Sequence, residues 1–320
     1  MSRVVVTGRV PEPAVETLKA EHDVDPHDDS APISREALLA KVAGADALVT
    51  LLTEKVDAEL LDAAGPQLKV VANVAVGYNN IDVAACAERG VIVTNTPDVL
   101  TESTADIAFG LILMATRRLG EGERVLRSQT PWTWGMFYML GSGLQGKTLG
   151  VIGMGGIGAA TARRAKAFGM QVAYSSRNAC DPAVAEELGA TRLDFDELLS
   201  TCDVISVHCP YNDSTHHLIG AEQLALMKDT AYLINTARGP IVDEAALASA
   251  LADDQIAGAG LDVFEQEPAV HEGLLNLDNV AMVPHLGSAT IETRTEMAQL
   301  AADNTVAVLA GKEALTLVKP

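Results

Sequence analysis

Three short segments in the C-terminal half carry side chains able to act on a small anion. They are Asn235-Thr236-Ala237-Arg238-Gly239-Pro240, Phe264-Glu265-Gln266-Glu267-Pro268 and Val283-Pro284-His285-Leu286-Gly287-Ser288. Cations are scarce here: between Arg192 and Arg294 there are only Lys228 and Arg238. Arg238 follows the apolar run Leu233-Ile234-Asn235, at the carboxyl end of a predicted parallel strand, where ligands bind open α/β sheets. A guanidinium there can grip a carboxylate in a two-pronged fork, the alternative being a surface ion pair with Asp243 or Glu244. His285 also follows a predicted strand and could move a proton, and Glu267 could favour the protonated ring and orient it. Each residue alone has a structural explanation. Three of them after strands of one sheet are a stronger signal than any one.

The second constellation is Gly153-Met154-Gly155-Gly156-Ile157-Gly158, between Leu149-Gly150-Val151-Ile152 and Ala159-Ala160-Thr161-Ala162. A G-x-G-x-x-G at a strand–helix junction makes a tight turn, lets a pyrophosphate approach the backbone and packs helix closely on strand. The helix N-terminus then offers N–H groups and a positive dipole end to phosphates. About 20 residues on, where an acid would accept from the adenosine ribose, the chain reads Tyr174-Ser175-Ser176-Arg177. Two hydroxyls and a guanidinium with no acid favour a 2′-phosphate, hence NADP(H); NAD stays open if Arg177 is only a solvated loop charge.

The elements that must position these groups alternate strand and helix. Strands are expected at 3–7, 47–52, 68–74 and 91–93, then at 148–152, 171–175, 204–208, 231–235, 258–261 and 280–283, with helices at 11–20, 35–43, 156–168 and 292–310 between or after them. Continuous apolar strands of this kind belong to parallel sheets covered on both faces. Ser103-x-x-Asp106 has the form of a capping box opening an apolar helix over 104–119, closed by Arg117, Arg118 and Gly120. That helix is too apolar to lie alone and is expected to pack between domains or subunits. The segment 130–143, with Trp132, Trp134, Phe137 and Tyr138, is either core or an oligomer contact.

Composition bounds the reading. With 23 Lys+Arg against 43 Asp+Glu the formal charge is −20, so nucleic acid and anionic membranes are poor partners. The longest apolar run, Ile107 to Ala115, is about half what a bilayer span needs, and after Met1-Ser2-Arg3 only Val4 to Val6 is apolar. Cys86, Cys180, Cys202 and Cys209 show no zinc or C-x-x-C spacing and read as free thiols of a cytoplasmic protein.

Taken with Val76-Gly77-Tyr78-Asn79-Asn80-Ile81-Asp82, Asn95-Thr96-Pro97-Asp98-Val99-Leu100-Thr101 and Gly260-Leu261-Asp262-Val263-Phe264, these motifs run in the order of a known family. The chain resembles the D-isomer-specific 2-hydroxyacid dehydrogenases, most closely their glyoxylate/hydroxypyruvate reductase branch, from about residue 47 to 290. The resemblance implies an α/β fold of two doubly wound parallel-sheet domains. A Rossmann dinucleotide domain (100–287) would be inserted into a flavodoxin-like substrate domain (1–99 and 288–320), with hinges near 99 and 288. It implies hydride transfer between NAD(P)H and the C2 carbonyl of a small 2-oxoacid, catalysed by Arg238, Glu267 and His285. The backbone of Val76 and Gly77 would bind the substrate carboxylate. Cofactor contacts are implied at Thr104, the glycine turn, Ser175 to Arg177, Pro210, Thr215, Thr236, Ala237, Asp262 (facing the nicotinamide) and Gly287. A homodimer is implied, with Trp134 reaching the partner's substrate. Tyr78-Asn79-Asn80 departs from the family, which more often has an acid after the aromatic. Three alternatives remain: a phosphoglycerate dehydrogenase, expected to carry a regulatory domain beyond Lys319; a non-catalytic dinucleotide sensor, expected to carry a partner-binding tail; and a formate dehydrogenase, which would want glutamine in place of Glu267.

Overall fold

The computed structural model describes residues 1–29 and 31–319. The chain divides into two compact units, Met1–Leu100 with Ala289–Pro320, and Thr101–Ser288.

In the first unit five strands, β1 (Arg3–Val6), β2 (Asp23–Asp25), β3 (Ala47–Thr50), β4 (Val70–Asn73) and β5 (Ile92–Thr94), form a sheet of order β2-β1-β3-β4-β5. All pairings are parallel. This is the flavodoxin-like order. Successive side chains of a strand point to opposite faces, so Val5, Leu48 and Val71 pack with Leu38 and Leu60, while Val4, Val6 and Val49 pack with Leu18, Ala298 and Ala302. The covering helices start where a side chain satisfies an orphan N–H: Asp57 accepts from Leu60 N at 3.1 Å, Asp82 from Ala85 N at 2.9 Å and Thr290 from Thr293 N at 3.0 Å. Strand β2 has no apolar run and escapes the hydropathy pattern. It is an edge strand held partly by Arg3 on Asp25 at 2.9 Å.

The second unit holds β6 (Thr148–Ile152), β7 (Gln171–Ser175), β8 (Thr191–Arg192), β9 (Val204–Val207), β10 (Tyr232–Asn235), β11 (Gly258–Leu261) and β12 (Val280–Met282), in the order β12-β11-β10-β9-β6-β7-β8. Every pairing is again parallel. The order reverses between β6 and β9, which places the topological switch at the end of β6, where the glycine turn begins. The two-residue β8 is too short and too exposed to register in the sequence.

Two expectations about the helix after residue 100 are corrected. It spans Thr101–Thr116, so Ser103 lies inside its first turn, and Asp106 is engaged by Arg164 at 2.6 Å. It does not close on Gly120: Arg118 takes the left-handed conformation (φ 53°) and grips Glu121 through two nitrogens at 2.6 and 2.7 Å, starting a new helix, Leu119–Arg127. One face of the apolar helix packs within its own unit. Leu111 and Ile112 are buried with Leu149 and Val151 of its own unit. Gly260 makes that approach possible, since a Cβ there would stand 2.9 Å from Leu111 Cβ. The aromatic segment is not core: Trp134 is 75% and Phe137 88% exposed, and Trp132 stacks on Tyr138, at 6.0 Å.

Candidate active site

Arg238, Glu267 and His285 follow β10, β11 and β12, three neighbours in one sheet, and all leave it at the carboxyl edge. The turn that presents Arg238 is shaped by Asn235, whose side chain accepts from Ala237 N at 3.0 Å and donates to Arg238 O at 2.9 Å. Burial pushes the Arg238 guanidinium below its ordinary pKa, and the charge of Glu267 pulls it back. Glu267 Oε1 accepts from Phe264 N at 3.0 Å, and Oε2 lies 2.7 Å from His285 Nδ1. Burial alone would raise the Glu267 carboxyl. The His285 bond, the Phe264 N–H and the charges of His285 and Arg238 outweigh it and hold the group below the usual carboxylate range.

His285 has φ 52°, a left-handed conformation that costs a non-glycine residue and persists only where its surroundings enforce it. Asp262, 1% exposed, supplies the enforcement: its backbone O accepts from His285 N at 2.9 Å, and its carboxylate accepts from Leu286 N at 2.5 Å and Gly287 N at 2.8 Å. Burial raises the Asp262 pKa despite these bonds. Gly287 lies against Thr104, whose Cγ2 and Oγ1 would both be 3.3 Å from a Cβ there.

The glycine turn fits a dinucleotide on its own geometry. A Cβ at Gly153 would stand 2.7 Å from Cys209 N and one at Gly158 2.4 Å from Gly153 O, whereas one at Gly155 would meet no protein atom within 4 Å. Close packing at the first and last glycines and open space at the middle one is the cradle a pyrophosphate needs. Among the described residues, the N–H groups of Gly155, Gly156, Ile157 and Gly158 have no acceptor. Thr236 Oγ1 is buried without a partner, and Thr236 and Ala237 lie on the Arg238 turn. Gly153 N donates to Ser175 O at 2.9 Å and Met154 N to Ser176 Oγ at 2.8 Å, which stitches the glycine turn to the loop after β7. Ser175, Ser176 and Arg177 line an open cavity of ≈ 560 Å³ with Arg192, Asp194 and Glu197. Arg192, which sequence reasoning passed over, donates to Ser176 O at 2.9 Å and Arg177 O at 3.2 Å. After β9, Thr215 Oγ1 donates to Pro210 O at 2.9 Å and shapes that turn.

Val76 and Gly77 belong to the first unit, in the loop after β4. Asn95 donates to Val76 O and Asn73 to Gly77 O, each at 2.9 Å, while the two N–H groups have no acceptor among the described residues. Asn73, Asn95 and Asn235 shape these turns; the sequence motifs contain Asn95 and Asn235 without indicating that role, and Asn73 lies outside them.

A parallel sheet with a G-x-G-x-x-G turn at its switch point is the architecture of a dinucleotide-binding domain, and the His285–Glu267 pair stands on the same edge of it. The family model for the D-isomer specific 2-hydroxyacid dehydrogenase NAD binding domain matches residues 109–287. A glyoxylate reductase of Thermococcus onnurineus is 48% identical over 99% of this chain and 95% of that protein. Among solved structures, a glyoxylate reductase from Paecilomyes thermophila superposes with a TM-score of 0.90 at 36% identity, covering 99% of this chain and 98% of that one. An NADPH-dependent glyoxylate/hydroxypyruvate reductase from Sinorhizobium meliloti, solved with NADP and malonate, gives 0.85 at 37% identity over 99% and 96%. The chain belongs to the D-isomer-specific 2-hydroxyacid dehydrogenase family and is a nicotinamide-dependent oxidoreductase that reduces a 2-oxoacid to the 2-hydroxyacid. No helix among the described residues is long and apolar enough to cross a membrane.

Proposed function

We propose that the protein is an NADPH-preferring glyoxylate/hydroxypyruvate reductase. The observation that carries the reading is the 2.7 Å contact between His285 Nδ1 and Glu267 Oε2, beside Arg238 on the neighbouring strand end. With Nδ1 committed to the carboxylate, Nε2 is the nitrogen left to hand a proton to the substrate's C2 oxygen. Arg238 binds the substrate's carboxylate and carbonyl oxygens, and the free N–H groups of Val76 and Gly77 are assigned to the carboxylate. When bound to the glycine turn, NADPH supplies the hydride. Thr104, Ser175 to Arg177, Pro210, Thr215, Thr236, Ala237, Asp262 and Gly287 are assigned to holding it. The four free cysteines suit the reducing cytoplasm. A steady-state panel of glyoxylate, hydroxypyruvate, pyruvate and phenylpyruvate with each reduced cofactor tests the assignment; a preference for phenylpyruvate would reject it.

NADPH should bind more tightly than NADH, because no acid stands at Ser175 and Arg177 faces the cavity after β7. A charge-assisted bond to phosphate contributes roughly 1.5–3 kcal/mol, about ten- to a hundredfold in affinity. Fluorescence titration of Arg177→Ala should show that loss for NADPH and little change for NADH; equal losses for both cofactors would contradict it.

A homodimer is the second assignment. Leu126, Trp132, Trp134, Met136, Phe137 and Leu140 are all more than half exposed along 126–140, a patch larger than isolated surface hydrophobes explain. A second copy is the occupant we assign, with Trp134 entering the partner's substrate pocket and restricting it to short side chains. Trp134→Ala is expected to keep NADPH affinity, weaken glyoxylate use and admit bulkier 2-oxoacids. A monomer in sedimentation equilibrium at assay concentration, or an unchanged substrate profile, would remove the idea.

A further inference from the structure

Glu244 opens the helix Glu244–Ala252, but it is not the cap: Asp243 already accepts from Ala246 N at 3.0 Å. Glu244 is nevertheless 5% exposed, and a buried carboxylate persists only where its oxygens are bonded. Its Oε1 accepts from Glu265 N at 2.6 Å and its Oε2 from His271 N at 3.3 Å. The bond is returned: Glu244 N donates to Glu265 Oε1 at 3.1 Å, and the same oxygen lies 2.9 Å from His217 Nε2. Beneath this pair the backbones touch, since a Cβ at Gly239 would stand 1.9 Å from the Phe264 carbonyl carbon.

The joined segments are the two limbs of the site, one leaving Arg238 and the other leading to Glu267. We propose that Glu244 and Glu265 form a two-way clamp that holds the Phe264–Glu267 limb in register with the Arg238 limb, making them positioning residues for proton transfer at His285. The peptide that Glu244 grips is the one directly after the Phe264 N–H that holds Glu267 Oε1. A shift of that peptide therefore moves the carboxylate that orients the imidazole, and displacements of about 1 Å at such a site cost about a hundredfold in rate. Arg238 has a separate hold through Asn235, so substrate grip need not fall with it. The charged groups facing His285 and Glu267 are Asp262 and Arg238. Glu265 is faced by His217, which also has Asp243 at 3.9 Å.

The inference rests on the assignment of His285 and Glu267 made above. Glu244→Ala, assayed with NADPH and glyoxylate, should lose at least about tenfold in kcat, with KM for glyoxylate and Kd for NADPH within about threefold of the parent. The acid limb of the kcat–pH profile should move to higher pH, because Glu267 loses the partners that keep it ionised. Glu244→Gln keeps an acceptor and should recover most of the rate. Glu265→Ala, at a partly exposed position, should shift the limb the same way and decides the matter if Glu244→Ala does not fold. An unmoved acid limb and parent-like kcat in the folded variants would overturn the clamp, as would a parallel loss of kcat and NADPH affinity with the limb unmoved. His285→Ala, run alongside, separates the failures. Near-parent turnover there overturns the assignment beneath; its loss, with normal clamp variants, overturns only the clamp.

Discussion

Replacing Arg238 or His285 by alanine is expected to lower turnover by about 10²–10⁴-fold while NADPH still binds. The two side chains act at different points. Without the imidazole the group assigned to hand a proton to the C2 oxygen is gone, and Glu267, whose Oε1 stays tied to Phe264 N, is placed to orient that ring and not to replace it. Without the guanidinium the 2-oxoacid carboxylate loses the cation that the end of β10 presents to it, in a chain of net charge −20. Neither residue belongs to the glycine turn or to the loop after β7, so dinucleotide titrations should remain near the parent's values. The double variant should cost little more than the worse single one, as happens when groups act as a unit. Turnover near the parent's in either single variant would reject the mechanism. A parent that binds NADPH tightly and reduces none of the four acids would point to a dinucleotide-sensing scaffold.

Gly158→Ala should abolish measurable dinucleotide binding at micromolar protein. A Cβ at that position would stand 2.4 Å from Gly153 O and 2.9 Å from Val151 Cγ1. The first contact is backbone, inside the turn, and can be relieved only by lifting the helix 156–167 off β6. That motion withdraws the helix N-terminus from the pyrophosphate position and disrupts the packing of Val151. Overpacking of this kind costs typically about 1–3 kcal/mol of stability, so a modest fall in Tm should accompany the loss. Gly155→Ala is the useful contrast, because no protein atom lies within 4 Å of a Cβ there. It should leave Tm near the parent's value and weaken only cofactor binding, by placing a methyl group where phosphate would approach. Equal Tm losses in both variants would mean the turn is shaped differently from the geometry described.

Much of the site was legible because its causes are local. The strand–glycine–helix junction at 149–162 announces a phosphate cradle through backbone sterics that three glycines and their neighbours determine. The continuous apolar strands announce parallel sheets because burial on both faces leaves no room for alternation. Arg238 stood out through the scarcity of cations around it, and His285 and Glu267 through the strand ends they follow. What the sequence could not show is set by contacts between segments far apart in the chain. Strands β2 and β8 are short and polar, so only pairing with β1 and β7 makes them strands. The apolar helix 101–116 gives no sign in the sequence of how closely β11 receives one of its faces, an approach that Gly260 permits. The left-handed His285, the Asp262 carboxylate beneath it and the Glu244–Glu265 exchange each join residues 18 or more positions apart, and no periodicity reports such a bond. Sequence by itself determined which residue types stand at the strand ends and that the strands form parallel sheets. Tertiary structure alone decided how the His285–Glu267 pair is held, because its restraints are hydrogen bonds to backbone groups whose distance in the chain hides their closeness in space.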